Sequence, residues 1–97
     1  MNMQNLMYQA KKLQTELEKT TKNIEKTIFK YENENIIVEI NGKNELKQIK
    51  IINNELLKDN EILEDVITVA INNVLEQIKN EKEKKLGKYT NGLGGLF

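Results

Sequence analysis

The sequence predicts an α+β fold in two layers, with a long N-terminal helix, a three-stranded antiparallel meander and a C-terminal helix, assembled as a dimer. Apolar residues recur every three or four positions in both outer parts of the chain, which is the helical period, and alternate in the middle, which is the strand period. An Asn-Gly pair divides the middle part as a hairpin turn would. With 97 residues the chain forms one small domain, so a second subunit is expected to add stability.

The first helix is expected over residues 3–28, which contain no glycine or proline. At about 100° per residue, its apolar residues fall in one sector of the helix and its lysines in the opposite sector. The apolar sector contains Leu6, Ala10, Leu13, Leu17, Ile24 and Ile28. The opposite sector contains Lys11, Lys12, Lys19, Lys22, Lys26 and Lys30. The spacing of the apolar residues is typical of a coiled-coil seam. It predicts dimerisation or helix pairing through Leu6, Ala10, Leu13 and Leu17.

The middle of the chain is expected to form three consecutive strands. The first covers 27–32, and a polar turn at 33–35 separates it from the second, which covers 36–40. Asn41-Gly42 then returns the chain into a third strand over 46–52. Leu56 and Leu57 follow in a short linker or helical turn.

The second helix is expected to begin at Asn60 as its N-cap and to end near Gly87. Its apolar face, within residues 62–78, predicts packing on the sheet. Acidic residues in its first turns are interpreted as partners of the helix dipole rather than as a metal or acid-base site. Residues 1–88 therefore form a single predicted domain, and residues 89–97, rich in glycine, form a predicted flexible tail.

The composition argues against catalysis. Cys, His and Ser are absent, which removes the usual activated nucleophiles, the usual neutral-pH base and the commonest metal ligands. We therefore expect a protein that is not an enzyme, with no cofactor, no metal and no small-molecule substrate. No apolar run is long enough to span a membrane and no signal sequence is evident, so we expect a cytoplasmic protein without a membrane partner.

Charge is sorted along the chain although the formal net charge is zero. Residues 1–30 carry +3, residues 31–78 carry −6 and residues 79–97 carry +3. Because local fields govern attraction of a polyanion, the basic ends indicate a nucleic-acid partner. The candidate nucleic-acid-binding residues are Lys11, Lys12, Lys19, Lys22, Lys26, Lys82 and Lys85. Two simpler interpretations remain: a solvated outer face for the first helix, and pairing of the C-terminal lysines with the helix dipole.

Six stretches of the chain, taken in order, carry a resemblance to a known family. They are Asn5-Leu6-Met7-Tyr8-Gln9-Ala10-Lys11-Lys12-Leu13-Gln14, Val38-Glu39-Ile40-Asn41-Gly42, Ile49 to Ile51, Leu56-Leu57, Glu61-Ile62-Leu63-Glu64-Asp65 and Ala70-Ile71-Asn72-Asn73. Together they resemble the YbaB/EbfC family of small bacterial nucleoid-associated proteins. The resemblance implies an α-β-β-β-α protomer and a homodimer whose long helices project from a central sheet. It also implies association with the nucleoid and non-catalytic binding of double-stranded DNA, commonly with loose sequence preference.

The chain departs from the family at two loops and in one residue type. Asn33-Glu34-Asn35 replaces a stretch that often holds glycines, and Asn53-Asn54 replaces a frequent acidic-proline pair. Arginine is absent, so DNA binding would depend on lysine contacts to the phosphate backbone with little sequence specificity. The alternative function is a protein interaction module whose projecting helices dock a partner through Leu6, Leu13 and Leu17.

Overall fold

The computed structural model describes residues 2–92, and its elements follow the predicted order. The first helix, α1, spans Met3–Lys26. Asn2 caps its N-terminus, since the side-chain oxygen accepts a hydrogen bond from the backbone N–H three residues on, at 2.8 Å. α1 ends two residues earlier than predicted, because Thr27 has extended backbone and a run of β-branched and aromatic residues follows. Ile28 and Lys30 therefore lie on a strand, and their predicted places on the α1 stripes are wrong.

Three strands form an antiparallel sheet in chain order, which confirms the predicted meander. The strands are β1, Ile28–Glu32; β2, Ile36–Asn41; and β3, Leu46–Ile51. Val38 lies at the centre of the register, paired with Tyr31 of β1 and Ile49 of β3. Since paired residues point to the same side of a sheet, these three side chains share its inner face.

The Asn41-Gly42 hairpin joins β2 to β3 as predicted. The side-chain oxygen of Asn41 accepts hydrogen bonds from two backbone N–H groups of the turn, at 2.9 and 3.0 Å. The left-handed backbone conformation falls on Asn44, with φ of 65°, and not on Gly42. Glycine is required at position 42 because a Cβ there would overlap the backbone carbonyl of Ile24 in α1. The hairpin therefore packs directly on the end of α1.

The second helix, α2, spans Asn60–Gly92 and follows a 3₁₀ helix at Asn54–Lys58. The prediction that Asn60 caps α2 is wrong, since Asn60 is already helical. Asp59 caps it instead, with its carboxylate accepting a hydrogen bond from the backbone N–H of Ile62 at 3.2 Å.

The predicted end of α2 at Gly87 is also wrong, because the helix continues through this glycine. A glycine in a helix interior costs only about 1 kcal/mol relative to alanine, which the helix-forming residues around it offset. Of the predicted flexible tail, residues 89–92 are helical. Residues 93–97 of that tail lie outside the described residues.

The core lies between α2 and the inner face of β1 and β2. Its fully buried residues, each exposed by 2% or less, are Ile36, Val38, Ile40, Ala70, Val74 and Ile78. Gln77 fixes α2 to β1 by donating a hydrogen bond to the backbone carbonyl of Lys30 at 3.0 Å. On the inner face of β3, Ile51 packs against the core, but Leu46 is 51% exposed and Ile49 is 39% exposed.

Both helices extend beyond the sheet, and the molecule measures 69 × 20 × 16 Å. Its radius of gyration is 19.2 Å, whereas a compact chain of this length has about 12.5 Å. Where α1 and α2 pack together, Ile24 and Tyr89 are buried. Exposure rises toward the start of α1, where Leu13 and Leu17 are half-buried and Leu6 is 48% exposed. The N-terminal part of α1 therefore projects into solvent.

Candidate nucleic-acid interface

Five lysines form a row along the solvent side of α1, which we call the lysine ridge. Its members are Lys11, Lys12, Lys19, Lys22 and Lys26, all exposed. The helical period places them together because several are separated by seven or eleven residues, and seven residues make almost two helical turns and eleven make about three. From Lys11 to Lys26 the ridge is about 22 Å long at 1.5 Å per residue. The structure thus brings together all the α1 lysines proposed from sequence as candidate contacts.

No carboxylate within residues 2–92 pairs with a ridge lysine. The ion pairs of this part of the chain join Lys30 to Glu32 at 3.3 Å, Lys47 to Glu45 at 3.9 Å and Lys58 to Glu55 at 3.2 Å. Glu18, at the margin of the ridge, instead accepts a hydrogen bond from the Gln14 amide at 3.4 Å. The ridge ammonium groups therefore present positive charge to solvent without a neutralising partner at contact distance.

The apolar side of α1 has two parts. Leu13 and Leu17 are half-buried, and Ile24, further along the same side, is buried. Leu6 and Ala10, nearer the N-terminus, are exposed. All four residues predicted for dimerisation thus lie on the side of α1 opposite the ridge, and two of them are open in the single chain.

The C-terminal lysines lie apart from the ridge and from each other. Lys82 is half-buried in a groove that it shares with Asn44 and Leu75. Lys85 is exposed and lines another groove, of about 360 Å³. Thr20 and Ile24, on the side of α1 opposite the lysine ridge, line the same groove. Sequence reasoning did not separate these two environments, because they depend on where α2 passes the hairpin and α1.

The groove at Lys85 also holds Lys84 and Lys88, which sequence reasoning left out of the candidate set. Glu81 is the one acidic residue in its described lining. The Lys88 ammonium lies 5.0 Å from the centre of the Tyr89 ring, a cation–π contact.

Since α2 continues to Gly92, its last turn holds no basic residue. Dipole pairing, which acts within the last turn of a helix, therefore accounts poorly for these lysines.

Residues 2–92 contain no group of three or more metal-ligating side chains placed to hold an ion. The acidic residues at the start of α2, Glu61, Glu64 and Asp65, are exposed.

One carboxyl elsewhere has a shifted pKa: a hydrogen bond from the Asn41 side chain lowers the pKa of Glu45, and nearby lysines add to the effect. This carboxylate belongs to the hairpin and strengthens the turn. No helix in the described part of the chain is long and apolar enough to cross a membrane.

Fold and site together define a class of protein: a small α+β chain that displays a row of cations on a projecting helix. A family model for the YbaB/EbfC DNA-binding family matches residues 1–93. A nucleoid-associated protein of Lactococcus lactis subsp. cremoris (strain MG1363) is 40% identical, over 96% of this chain and 97% of the relative. Nucleoid-associated proteins of Lactobacillus acidophilus and Mycoplasmopsis pulmonis are 38% and 37% identical. These two matches cover 96% and 91% of this chain, and 86% and 88% of the relatives. The chain belongs to the YbaB/EbfC DNA-binding family, as its sequence strings predict.

Proposed function

We propose that this protein binds double-stranded DNA as a homodimer, without catalysing a reaction, and that the ridge lysines contact backbone phosphates. The observation that carries the proposal is the exposed, unpaired row of lysines on a helix that projects from the fold. Each lysine that meets a phosphate releases condensed counterions, and this entropy gain drives binding. Membership of a DNA-binding family supports the same partner. The protein then acts in the cytoplasm, on the nucleoid.

The geometry of the ridge suits a duplex backbone. Lys12, Lys19 and Lys26 are seven residues apart, so successive members are about 10.5 Å apart along the helix axis. One strand of B-DNA advances about 3.4 Å along the duplex axis per phosphate, so a stretch of duplex as long as the ridge, about 22 Å, carries six or seven phosphates on each strand. Because each strand winds around the axis, the straight ridge meets only those phosphates that face it.

The chemistry of lysine favours low sequence specificity. A lysine ammonium is a point charge that suits phosphate, whereas bidentate recognition of guanine is best served by arginine, which this chain lacks. Phosphate contacts fix a protein on the duplex but carry no direct sequence information. Lys82 and Lys85 are proposed as secondary contacts, because both lie away from the ridge and Lys82 is half-buried.

Two apolar surfaces support the homodimer. The inner face of β3 exposes Leu46 and Ile49, and α2 partly exposes Leu75. The N-terminal part of α1 exposes Leu6 and Ala10. A second copy covering these surfaces would complete a core that a chain of this size only partly builds. It would also place two lysine ridges in one particle.

The test is a salt titration of binding to a labelled 30-base-pair duplex, measured by fluorescence anisotropy. The slope of log affinity against log salt is expected near −4.5 if one chain's five lysines engage, and near −9 if both chains of a dimer do, at about −0.9 per phosphate contact. Two duplexes of unrelated sequence should bind with affinities within a few-fold of each other. Absence of binding at 20 mM salt would refute the proposal.

A second candidate function is a protein interaction module. The first ten residues hold no charged side chain, and on α1 they expose Met3, Leu6 and Met7. Such a methionine-rich helical surface can adapt to a partner's apolar groove. This function predicts that replacing Leu6 with Asp abolishes partner binding and that replacing ridge lysines does not. DNA binding predicts strong sensitivity to the ridge lysines.

A further inference from the structure

Tyr8 lies on the same side of α1 as the lysine ridge. Helical geometry places it next to Lys11 and Lys12, three and four residues further on. Its direction at 100° per residue falls inside the sector that the ridge occupies, and its side chain is 67% exposed. It therefore extends the ridge by one turn toward the N-terminus of α1, into the segment that carries no charged side chain.

The three tyrosines of the chain have different surroundings. Tyr89 is buried. Tyr31 is half-buried, and its hydroxyl accepts a hydrogen bond from the Asn33 amide at 3.0 Å. The hydroxyl of Tyr8 bonds to no other group among residues 2–92, and its ring packs into no core. Tyr8 thus contributes little to the fold, and its hydroxyl is free to donate.

We infer that Tyr8 is a DNA-contacting residue whose hydroxyl donates a hydrogen bond to a backbone phosphate beside the phosphate held by Lys12. The inference rests on the proposed DNA binding and extends it to an uncharged contact. Tyrosine hydroxyls are among the side-chain groups that donate to phosphate oxygens at protein–DNA interfaces. A neutral donor and a neighbouring ammonium can bind successive phosphates of one strand without repelling each other.

A neutral contact differs from a lysine contact in its response to salt. The Tyr8 hydroxyl carries no charge, so its bond to phosphate adds nothing to counterion release. Removing it should weaken binding equally at every salt concentration and leave the salt slope unchanged. Removing a ridge lysine should weaken binding and also make the slope less steep by about 0.9 per contact.

The experiment compares Tyr8→Phe, Tyr8→Ala and Lys12→Gln with the unmodified protein in salt titrations against one duplex. Tyr31→Phe is the matched control, since it removes a tyrosine hydroxyl away from the ridge. Tyr8→Phe and Tyr8→Ala should each lose about tenfold or more in affinity, the value of one hydrogen bond to a charged acceptor, with unchanged slope. Lys12→Gln should change the slope, and Tyr31→Phe should bind as the unmodified protein does.

Two results would overturn the inference: full affinity in Tyr8→Phe, and a change of slope in Tyr8→Phe. Full affinity in Tyr8→Phe together with a loss in Tyr8→Ala would assign the contact to the ring rather than to the hydroxyl. If the unmodified protein binds DNA and one of these results is found, the inference alone fails. If the unmodified protein does not bind at low salt, the proposed function fails with it. Circular dichroism of each variant establishes that α1 remains helical.

Discussion

Replacing Lys12 and Lys19 together with Gln is the most direct test of the lysine ridge. Both side chains are exposed, and neither takes part in an ion pair within residues 2–92. Glutamine has a helix propensity close to that of lysine. The change should therefore remove two positive charges per chain and leave the free energy of unfolding within about 0.5 kcal/mol.

The size of the effect follows from counterion release. Each phosphate contact changes the salt slope by about 0.9, so two lost contacts make it less steep by about 1.8 per bound chain. At 0.1 M salt each contact contributes about 0.9 logarithmic units of affinity. The double variant should then bind about 60-fold more weakly per chain, and charge reversal to Glu at the same positions should abolish binding.

The assay is the salt titration against a labelled duplex, with the double variant Lys47→Gln and Lys58→Gln as control. That control removes the same net charge, from lysines that pair with Glu45 and Glu55 away from the ridge. Equal losses in the two double variants would show that net charge matters and position does not. An unchanged slope in the Lys12 and Lys19 variant would refute the ridge as the DNA contact.

Four further predictions concern assembly, the hairpin, the interior of α2 and pH. Leu13→Asp places a charge on the half-buried apolar side of α1; light scattering after gel filtration should show loss of the dimer, and a stable dimer would contradict the assigned helix pairing. Gly42→Ala should destabilise the fold by more than about 2 kcal/mol in urea unfolding, because its methyl group overlaps the α1 backbone. Gly87→Ala, in open space within α2, should instead stabilise by about 0.5 to 1 kcal/mol. The hydrogen bond from Asn41, at 2.8 Å, lowers the pKa of Glu45 in the folded state. The stability that the ionised Glu45 contributes is therefore present above the ordinary pKa of 4.5 and is lost as the pH falls through the lowered value. The difference in melting temperature between the unmodified protein and Glu45→Gln should therefore shrink from pH 7 to pH 3, and a gap of constant size would contradict this role.

The ridge was predictable from sequence because side-chain direction in a helix depends only on residue spacing. Once residues 3–26 form a helix, Lys11, Lys19 and Lys26 must share a side, whatever the rest of the chain does. The environments of Lys82 and Lys85 were not predictable in this way. They depend on long-range packing of α2 against the hairpin and α1, which periodicity does not encode.

The ends of the helices likewise depend partly on local sequence and partly on packing. Asp59 and Asn60 are both good capping residues, so local preference does not choose between them, and the structure places the cap at Asp59. Gly87 is a plausible helix end by itself, yet the helix continues to Gly92 and buries Tyr89. At Gly87 a local preference of about 1 kcal/mol gave way to packing.

Local patterns along the chain are enough to predict the element order, the meander, the apolar faces and the row of lysines, because each follows from periods of two or about 3.6 residues within one segment. Long-range packing sets which strands α2 covers: it covers β1 and β2 and leaves Leu46 and Ile49 of β3 exposed. Long-range packing also brings Gly42 close to the end of α1. These features depend on how segments far apart in the chain pack on one another, and no local pattern specifies that packing.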